Sequence, residues 1–290
     1  MKTKRLNIVI NGIVVIIASS LMFSACDRET NNIQSVEELS TKTLGIPDDS
    51  PFDYYGEKHN EYLYIIGKAM QNDLDSFSMQ SSLSEDDVVY LLDKMLATLN
   101  SEFKARESYN EYTMNYDFFN RIISDDITDD SVYFLQLNGL LASVDTTLSV
   151  AQQVEQIRTI ELDFLHDKMS RVDSMMAISL NILSHSLVFW EDVRTSEDNP
   201  WHNFVTSDFE PFEWGEGMLF SNGPIKKIGD FFHKIGQKVK KFIQSLSTEE
   251  KEQIALVDCA TGLTAGLSLG PGWGIVSAIA TSIGNAILNH

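Results

Sequence analysis

The groups with which this chain could do chemistry are two cysteines, six histidines and 42 carboxylates. Their spacing decides how much of that chemistry is open to them. Glu57, His59 and Glu61 fall within five residues, but positions two apart point to different sides of a helix and do not converge on a ligand. Asp163 and His166 are three apart and share a helix face, which would supply two metal ligands. Bundles that bind two metals use a second matching pair, and none is present. These residues are therefore read as solvent-facing polar groups. The acidic doublets Asp125-Asp126 and Asp129-Asp130 lack the spacing and central glycine of a calcium loop and read as a solvated helix connection. No HExxH, GxSxG, phosphate-binding or dinucleotide-binding glycine signature occurs. No catalytic residue, metal site or cofactor is expected, and the chain is expected not to be an enzyme.

One residue does carry a specific chemistry. Met1-Lys2-Thr3-Lys4-Arg5 is basic, Leu6–Phe23 is apolar, and Phe23-Ser24-Ala25 precedes Cys26. A basic start, an apolar stretch and small residues before a cut site form a secretory signal peptide. The alternative, a transmembrane anchor, would need about 20 apolar residues. The cysteine directly after Ser-Ala resembles the bacterial lipobox, with Phe23 where leucine is usual. That resemblance implies that residues 1–25 are removed and that the Cys26 thiol takes a diacylglycerol. Each buried methylene contributes about 0.8 kcal/mol, so two or three chains, palmitate among them, hold a protein to a bilayer. Cys259, in an apolar run, reads as a small buried hydrophobe, and no disulfide framework can be made.

Residues 26–50 are polar and read as a tether, with a capping box at Ser35 and Pro47 and Pro51 at its end. Residues 51–194 have helical apolar spacing. Tyr62, Ile65, Ile66, Ala69 and Met70 form one stripe, and Val88, Leu91, Leu92, Met95, Leu96 and Leu99 form another after a start at Ser84 and Asp87. Phe118, Ile122 and Ile123 mark a third helix, and Val132 to Leu141, begun at Thr128, a fourth. One long pattern runs from Leu148 to Val193 through Leu162, Leu165, Met169 and Val172. An all-α acidic bundle of about five helices is expected. Residues 195–224 are rich in proline, glycine and aromatics and read as a connector pinned to the bundle by those aromatics, with an aromatic ligand groove as the other reading.

Residues 225–290 differ in charge and pattern. Residues 26–224 carry 12 bases and 37 acids, whereas residues 225–290 carry seven bases and five acids. Pro224 opens a cationic amphipathic helix over 225–246 whose apolar face includes Ile228, Phe231, Phe232, Ile235, Val239 and Phe242, flanked by lysines such as Lys238. Such a helix can dock on the acidic bundle, lie on an anionic membrane or take an external partner. It is similar to the vertebrate cathelicidin peptides over this short, compositional stretch. Residues 259–289 hold no charged side chain. Gly262, Gly266, Gly270, Gly274, Ala278, Ser282 and Ala286 recur every fourth residue, a spacing that lets helices approach closely. Pro271 divides the run into arms Ile254–Leu269 and Trp273–Leu288. At 1.5 Å per residue each arm is about 24 Å long, short of a hydrocarbon core, so a Gly-rich helical hairpin is expected, in lipid or packed in water.

Tyr54-Tyr55-Gly56-Glu57-Lys58-His59-Asn60-Glu61, Ser186-Leu187-Val188-Phe189-Trp190 and the glycine-striped tail together resemble a family of uncharacterised Bacteroidota lipoproteins. The tail is also similar to the glycine-zipper segments of class II bacteriocins. The resemblance implies a lipid-anchored protein of the cell envelope, at the outer membrane of a Gram-negative bacterium, and brings no known activity. Two functions stay open. In one, residues 225–290 bind membrane or a helical partner. In the other, the bundle and the aromatic connector bind a ligand and the tail is core. The strongly negative charge argues against nucleic acid.

Overall fold

A computed structural model describes residues 50–80, 82–106, 132–207, 250–269 and 271–288. The described residues are all-α, with eight helices and no strands. They are α1 (Asp53–Ser78), α2 (Glu85–Arg106), α3 (Val132–Leu141), α4 (Val150–Leu162), α5 (Arg171–Thr195), α6 (His202–Val205), α7 (Glu250–Leu269) and α8 (Pro271–Leu288). The tether, the Phe118 helix, the acidic doublets, most of the connector and the cationic helix 225–246 lie outside the described residues.

Helix α5 is the axis. Every residue from Met175 to Trp190 is buried, which requires neighbours on all sides. α1, α4 and α7 supply them, and α8 packs on α7, α1 and α2. By length and composition α5 could cross a membrane, but most of its apolar stretch is buried inside the bundle. α7 is enclosed in the same way, with all residues from Ile254 to Leu263 buried. With residues 277–284, 286 and 287 of α8, which are also buried, these residues fill the bundle interior. Pro271 begins α8 at its first position, where a missing N–H costs nothing. The two arms are joined through Thr261 and Thr281, whose hydroxyls are 2.8 Å apart.

Local signals explain the ends of several helices. Ser84 and Asp87 cap α2 reciprocally: Ser84 N–H donates to Asp87 Oδ2 at 2.8 Å, and Asp87 N–H to Ser84 Oγ at 3.3 Å. The expected α2 stripe, Val88 to Leu99, is buried in full. The long pattern from Leu148 to Val193, by contrast, is two helices. Ser149 with Gln152 caps α4, and Ser170 with Asp173 caps α5, so residues 163–170 break the run. Leu162 is 60% exposed and Met169 37%, and neither belongs to a buried face.

The α1 stripe is also rotated from expectation. Gly56, His59, Tyr62, Leu63, Ile66, Gly67, Met70 and Leu74 face inward, while Ala69 is exposed and Ile65 only half-buried. Two glycines set this face. A Cβ on Gly56 would strike the His185 ring, and one on Gly67 would lie 2.7 Å from Trp201 Cδ1 and 2.9 Å from Pro200 Cγ. The chain after α5 folds back onto that gap. Asn199 Nδ2 donates to Asp192 Oδ2 at 2.9 Å, and Trp201 and Phe204 are fully buried. Trp201 Nε1 donates to the Leu63 carbonyl at 2.9 Å. These two connector aromatics pin the chain to the bundle rather than forming an open groove.

Candidate functional site

Two clusters of buried ionisable side chains stand out in the interior of the described residues. The first joins four helices through one acid. Asp258 on α7 is 0% exposed. Its Oδ2 accepts from Ser186 Oγ of α5 at 2.6 Å and from Ser282 Oγ of α8 at 2.8 Å. Ser282 Oγ in turn accepts from Trp190 Nε1 at 3.1 Å. His59 of α1, also 0% exposed, places Nε2 at 3.5 Å from the same carboxylate oxygen. Its other nitrogen, Nδ1, is 3.0 Å from Asn60 Oδ1, and Asn60 Nδ2 donates to the His185 carbonyl at 2.8 Å. That last bond orients the Asn60 oxygen toward the ring, so Nδ1 carries a hydrogen and Nε2 faces Asp258.

Burial pushes the Asp258 carboxyl above its ordinary value, and the contacts from His59, Ser186 and Ser282 only partly draw it back. A buried charge survives only when paired and hydrogen-bonded. Here the carboxyl of one helix is met by hydroxyls from two others and by an imidazole from a fourth.

The second cluster closes the amino-terminal end of α1. Arg158 of α4 lies between Asp53 and Glu161, bonded to Asp53 Oδ1 through Nη2 and to Glu161 Oε2 through Nη1 at 2.5 Å. Asn181 Nδ2 donates to Asp53 Oδ1 at 2.8 Å, and Gly56 N–H donates to Asn181 Oδ1 at 3.1 Å. His185 Nε2 is 3.7 Å from Asp53 Oδ1, and Ser50 Oγ donates to Glu161. One guanidinium cannot neutralise two carboxylates, and the two acids separate accordingly. Burial would raise Asp53, but the approach of His185 and the bonds from Asn181 and Arg158 outweigh it and lower the group to about 2. Glu161, more deeply buried, is pushed up by desolvation despite Ser50 and Arg158.

Neither cluster resembles a reaction centre. The serines bond to the acid and not to the imidazole, so His59 has no hydroxyl to activate. Among the described residues no group of three or more His, Cys, Asp or Glu is placed to hold a metal ion. An apolar depression between α3, α4, α5 and α7, lined by Leu141, Val144, Ile157, Leu183 and Leu256, lacks an ionisable lining residue.

Of the residues singled out by sequence, His59 is the principal correction. It reads as a surface group between Glu57 and Glu61, yet it is buried against an acid 199 positions away. The separation of those three residues onto different sides is as expected. Asp163 and His166 lie in the break before α5. His166 Nε2 is 3.5 Å from Asp173 and half-exposed, a solvated pair. Cys259 is buried, and burial together with Asp258 pushes its thiol far up, which leaves it an inert hydrophobe. Of the stripe, Gly262, Ala278, Ser282 and Ala286 are buried, Gly266 and Gly274 lie within α7 and α8, and Gly270 is outside the described residues. Cys26 and the face formed by Ile228, Phe231, Phe232, Ile235, Lys238, Val239 and Phe242 are also outside them.

One available signal for the first cluster is Asp258 itself, the single acid in the apolar stretch Ile254–Leu269. Ser170-x-x-Asp173 similarly marks the start of α5. Nothing local marks Arg158 or Asn181. No family model matches this chain, and no curated protein or solved structure is similar to it at a significant level.

Proposed function

We propose that this chain is a lipid-anchored, non-enzymatic protein of the cell envelope that presents a helical binding module from the membrane surface, with its glycine-striped tail serving as structural core. The observation that carries the reading is the placement of Asp258. The tail's own acid finds its partners on α1 and α5, not only within the hairpin. A hairpin leaving for lipid would strand that carboxyl and strip the all-round cover from α5. The lipid at Cys26 then supplies the membrane attachment, at the outer membrane of a Gram-negative cell, and the resemblance to envelope lipoproteins belongs to the same proposal. Trp201 and Phe204 are taken into the core, which leaves Phe209, Phe212, Trp214 and Phe220 as the connector's candidates for a ligand face.

The test is flotation of the chain from residue 26 onward, produced as Cys26→Ser without lipid, on anionic vesicles. Its formal charge of −23 opposes contact with an anionic surface, and the protein is expected to stay in the soluble fraction. Flotation would overturn the reading in favour of membrane contact through residues 225–246, whose six lysines motivate that alternative. In cells, Cys26→Ser should lose lipid labelling; unchanged acylation would remove the anchor from the proposal.

A further inference from the structure

We propose that the end of the bundle where the chain enters from its tether is a bilayer-contact surface: Tyr54, Leu162 and Met169 rest on the zwitterionic headgroup layer once the lipid at Cys26 holds the protein there. The inference deepens the reading of a lipid-anchored protein and rests on it. It begins with where the exposed apolar side chains lie. Among the described residues six large ones are exposed, and three of them, Tyr54 at 47%, Leu162 at 60% and Met169 at 37%, come from segments that meet at this end.

The second cluster brings those segments together. Ser50 Oγ donates to Glu161, the residue before Leu162, and Asp53, the residue before Tyr54, is bonded to Arg158. α1 and α5 run in the same direction, because Asn181 Nδ2 donates to Asp53 Oδ1 at 2.8 Å and Asn60 Nδ2 donates to the His185 carbonyl at 2.8 Å. Asn181 is ten residues beyond Arg171, so the first turns of α5 extend past the start of α1, and with them the break 163–170 that carries Met169. Phe52 and Leu165, half-buried against the core, widen this apolar base. The Phe52 and Tyr54 rings both lie against Tyr55, with centroids 6.2 and 5.7 Å away.

Two observations name the bilayer as the occupant. Ser50 is 24 residues after Cys26, a stretch that spans at most about 85 Å in any conformation, and it joins the bundle beside Glu161. The anchor therefore draws this end toward the membrane. The second is charge. Residues 50–58 and 158–173 hold six acids and four bases, against 37 and 12 over residues 26–224, so lipid phosphates repel this end less than the rest of that region. Tyr54 also has the apolar body and polar tip that suit a headgroup layer. Three partly exposed side chains do not repay the freedom a protein loses on binding from solution. The anchor has already removed that freedom and holds the surface at high effective concentration. A lipid-free chain accordingly stays in solution, as the flotation test expects.

Hydroxyl-radical footprinting tests this, comparing the lipidated chain on phosphatidylcholine vesicles with the lipid-free Cys26→Ser chain in solution. Labelling of Tyr54, Leu162 and Met169 should fall severalfold on the vesicles. Met79 and Tyr90 are the controls. They are 86% and 47% exposed and lie toward the far end of α1, a helix of 26 residues and so about 39 Å long. Their labelling should not change. A Tyr54→Ser, Leu162→Glu double variant, altered only at exposed positions, should stay on the vesicles and return Met169 to its solution rate. The contact is overturned if the three residues label equally in both forms, if the controls fall as far as they do, or if the double variant keeps Met169 protected. Should the double variant fail to fold, the wild-type comparison decides alone. A lipidated chain that leaves the vesicles overturns the anchor and the contact together, whereas one that stays with unchanged labelling overturns the contact alone.

Discussion

Gly67 offers the sharpest test of how this fold is assembled. In an open helix interior, Gly→Ala stabilises by about 1 kcal/mol, because alanine loses less backbone freedom on folding. At Gly67 the new methyl would sit 2.7 Å from Trp201 Cδ1 and 2.9 Å from Pro200 Cγ, distances at which something must move. Trp201 is 0% exposed and cannot swing into solvent without leaving the core. Overpacking of this kind costs about 1–3 kcal/mol. Displacing the indole also threatens its bond to the Leu63 carbonyl, and a buried donor left unsatisfied costs a further 1–3 kcal/mol or so. Offset by the helix gain, Gly67→Ala should destabilise by about 1–5 kcal/mol. Gly139 is the internal control: it lies in α3, and a Cβ there meets nothing within 4 Å. Gly139→Ala should therefore stabilise by up to about 1 kcal/mol. Urea unfolding of both variants beside wild type measures the pair. If Gly67→Ala is as stable as Gly139→Ala, the connector does not pack into α1 as described, and the argument for that face fails.

Two further substitutions probe the other contacts. Asp53, lowered to about 2, contributes stability that is present above its unfolded value near 3.9 and is lost as pH falls toward 2. Asp53→Asn should therefore be less stable than wild type at pH 7, with the gap closing between pH 4 and 2 in urea midpoints; a gap that stays constant would contradict the assignment. Ala278→Leu, at a stripe position with 0% exposure, should cost about 1–3 kcal/mol by thermal or urea unfolding, whereas Ala69→Leu on the exposed side of α1 should stay within about 0.5 kcal/mol. Equal effects would mean that the stripe is not a packing surface.

How far the sequence discloses this arrangement depends on the range of the interactions. Contacts set within a few residues are legible: the α2 stripe, the cap at Ser84, the break at Pro271 and the two arms all follow from local pattern. The α1 phase is not, because Gly56 and Gly67 add almost nothing to an apolar count yet face inward, admitting His185 and Trp201. The break before α5 is masked by leucines and methionines that keep helical spacing across it, even though Leu162 and Met169 are not buried. The clusters are harder still. His59 and Asp258, or Asp53 and Arg158, meet only because helices far apart in the chain pack side by side, and polarity alone gives each residue the look of a surface group.

The tail shows why composition alone left two environments open. Small residues at every fourth position and threonines that bond across helices suit a lipid hairpin and an aqueous core equally well. In both, the Thr261–Thr281 contact would form, and in both the stripe would let α7 and α8 approach. What differs is the treatment of the one acid. In hydrocarbon an isolated hairpin could offer Asp258 only its own partner, Ser282, against a cost for a central Asp of about 2.5–3.5 kcal/mol or more. In the bundle the same carboxyl also receives Ser186 and faces His59, while Trp190 steadies Ser282 from behind. Each of those three added groups comes from a helix outside the tail. A segment selected for lipid has no use for partners on α1 and α5, and an α5 buried on every side has no use for a tail that leaves. The complementarity therefore runs in both directions, and it supports the proposal that membrane attachment is the task of the N-terminal lipid rather than of the glycine stripe.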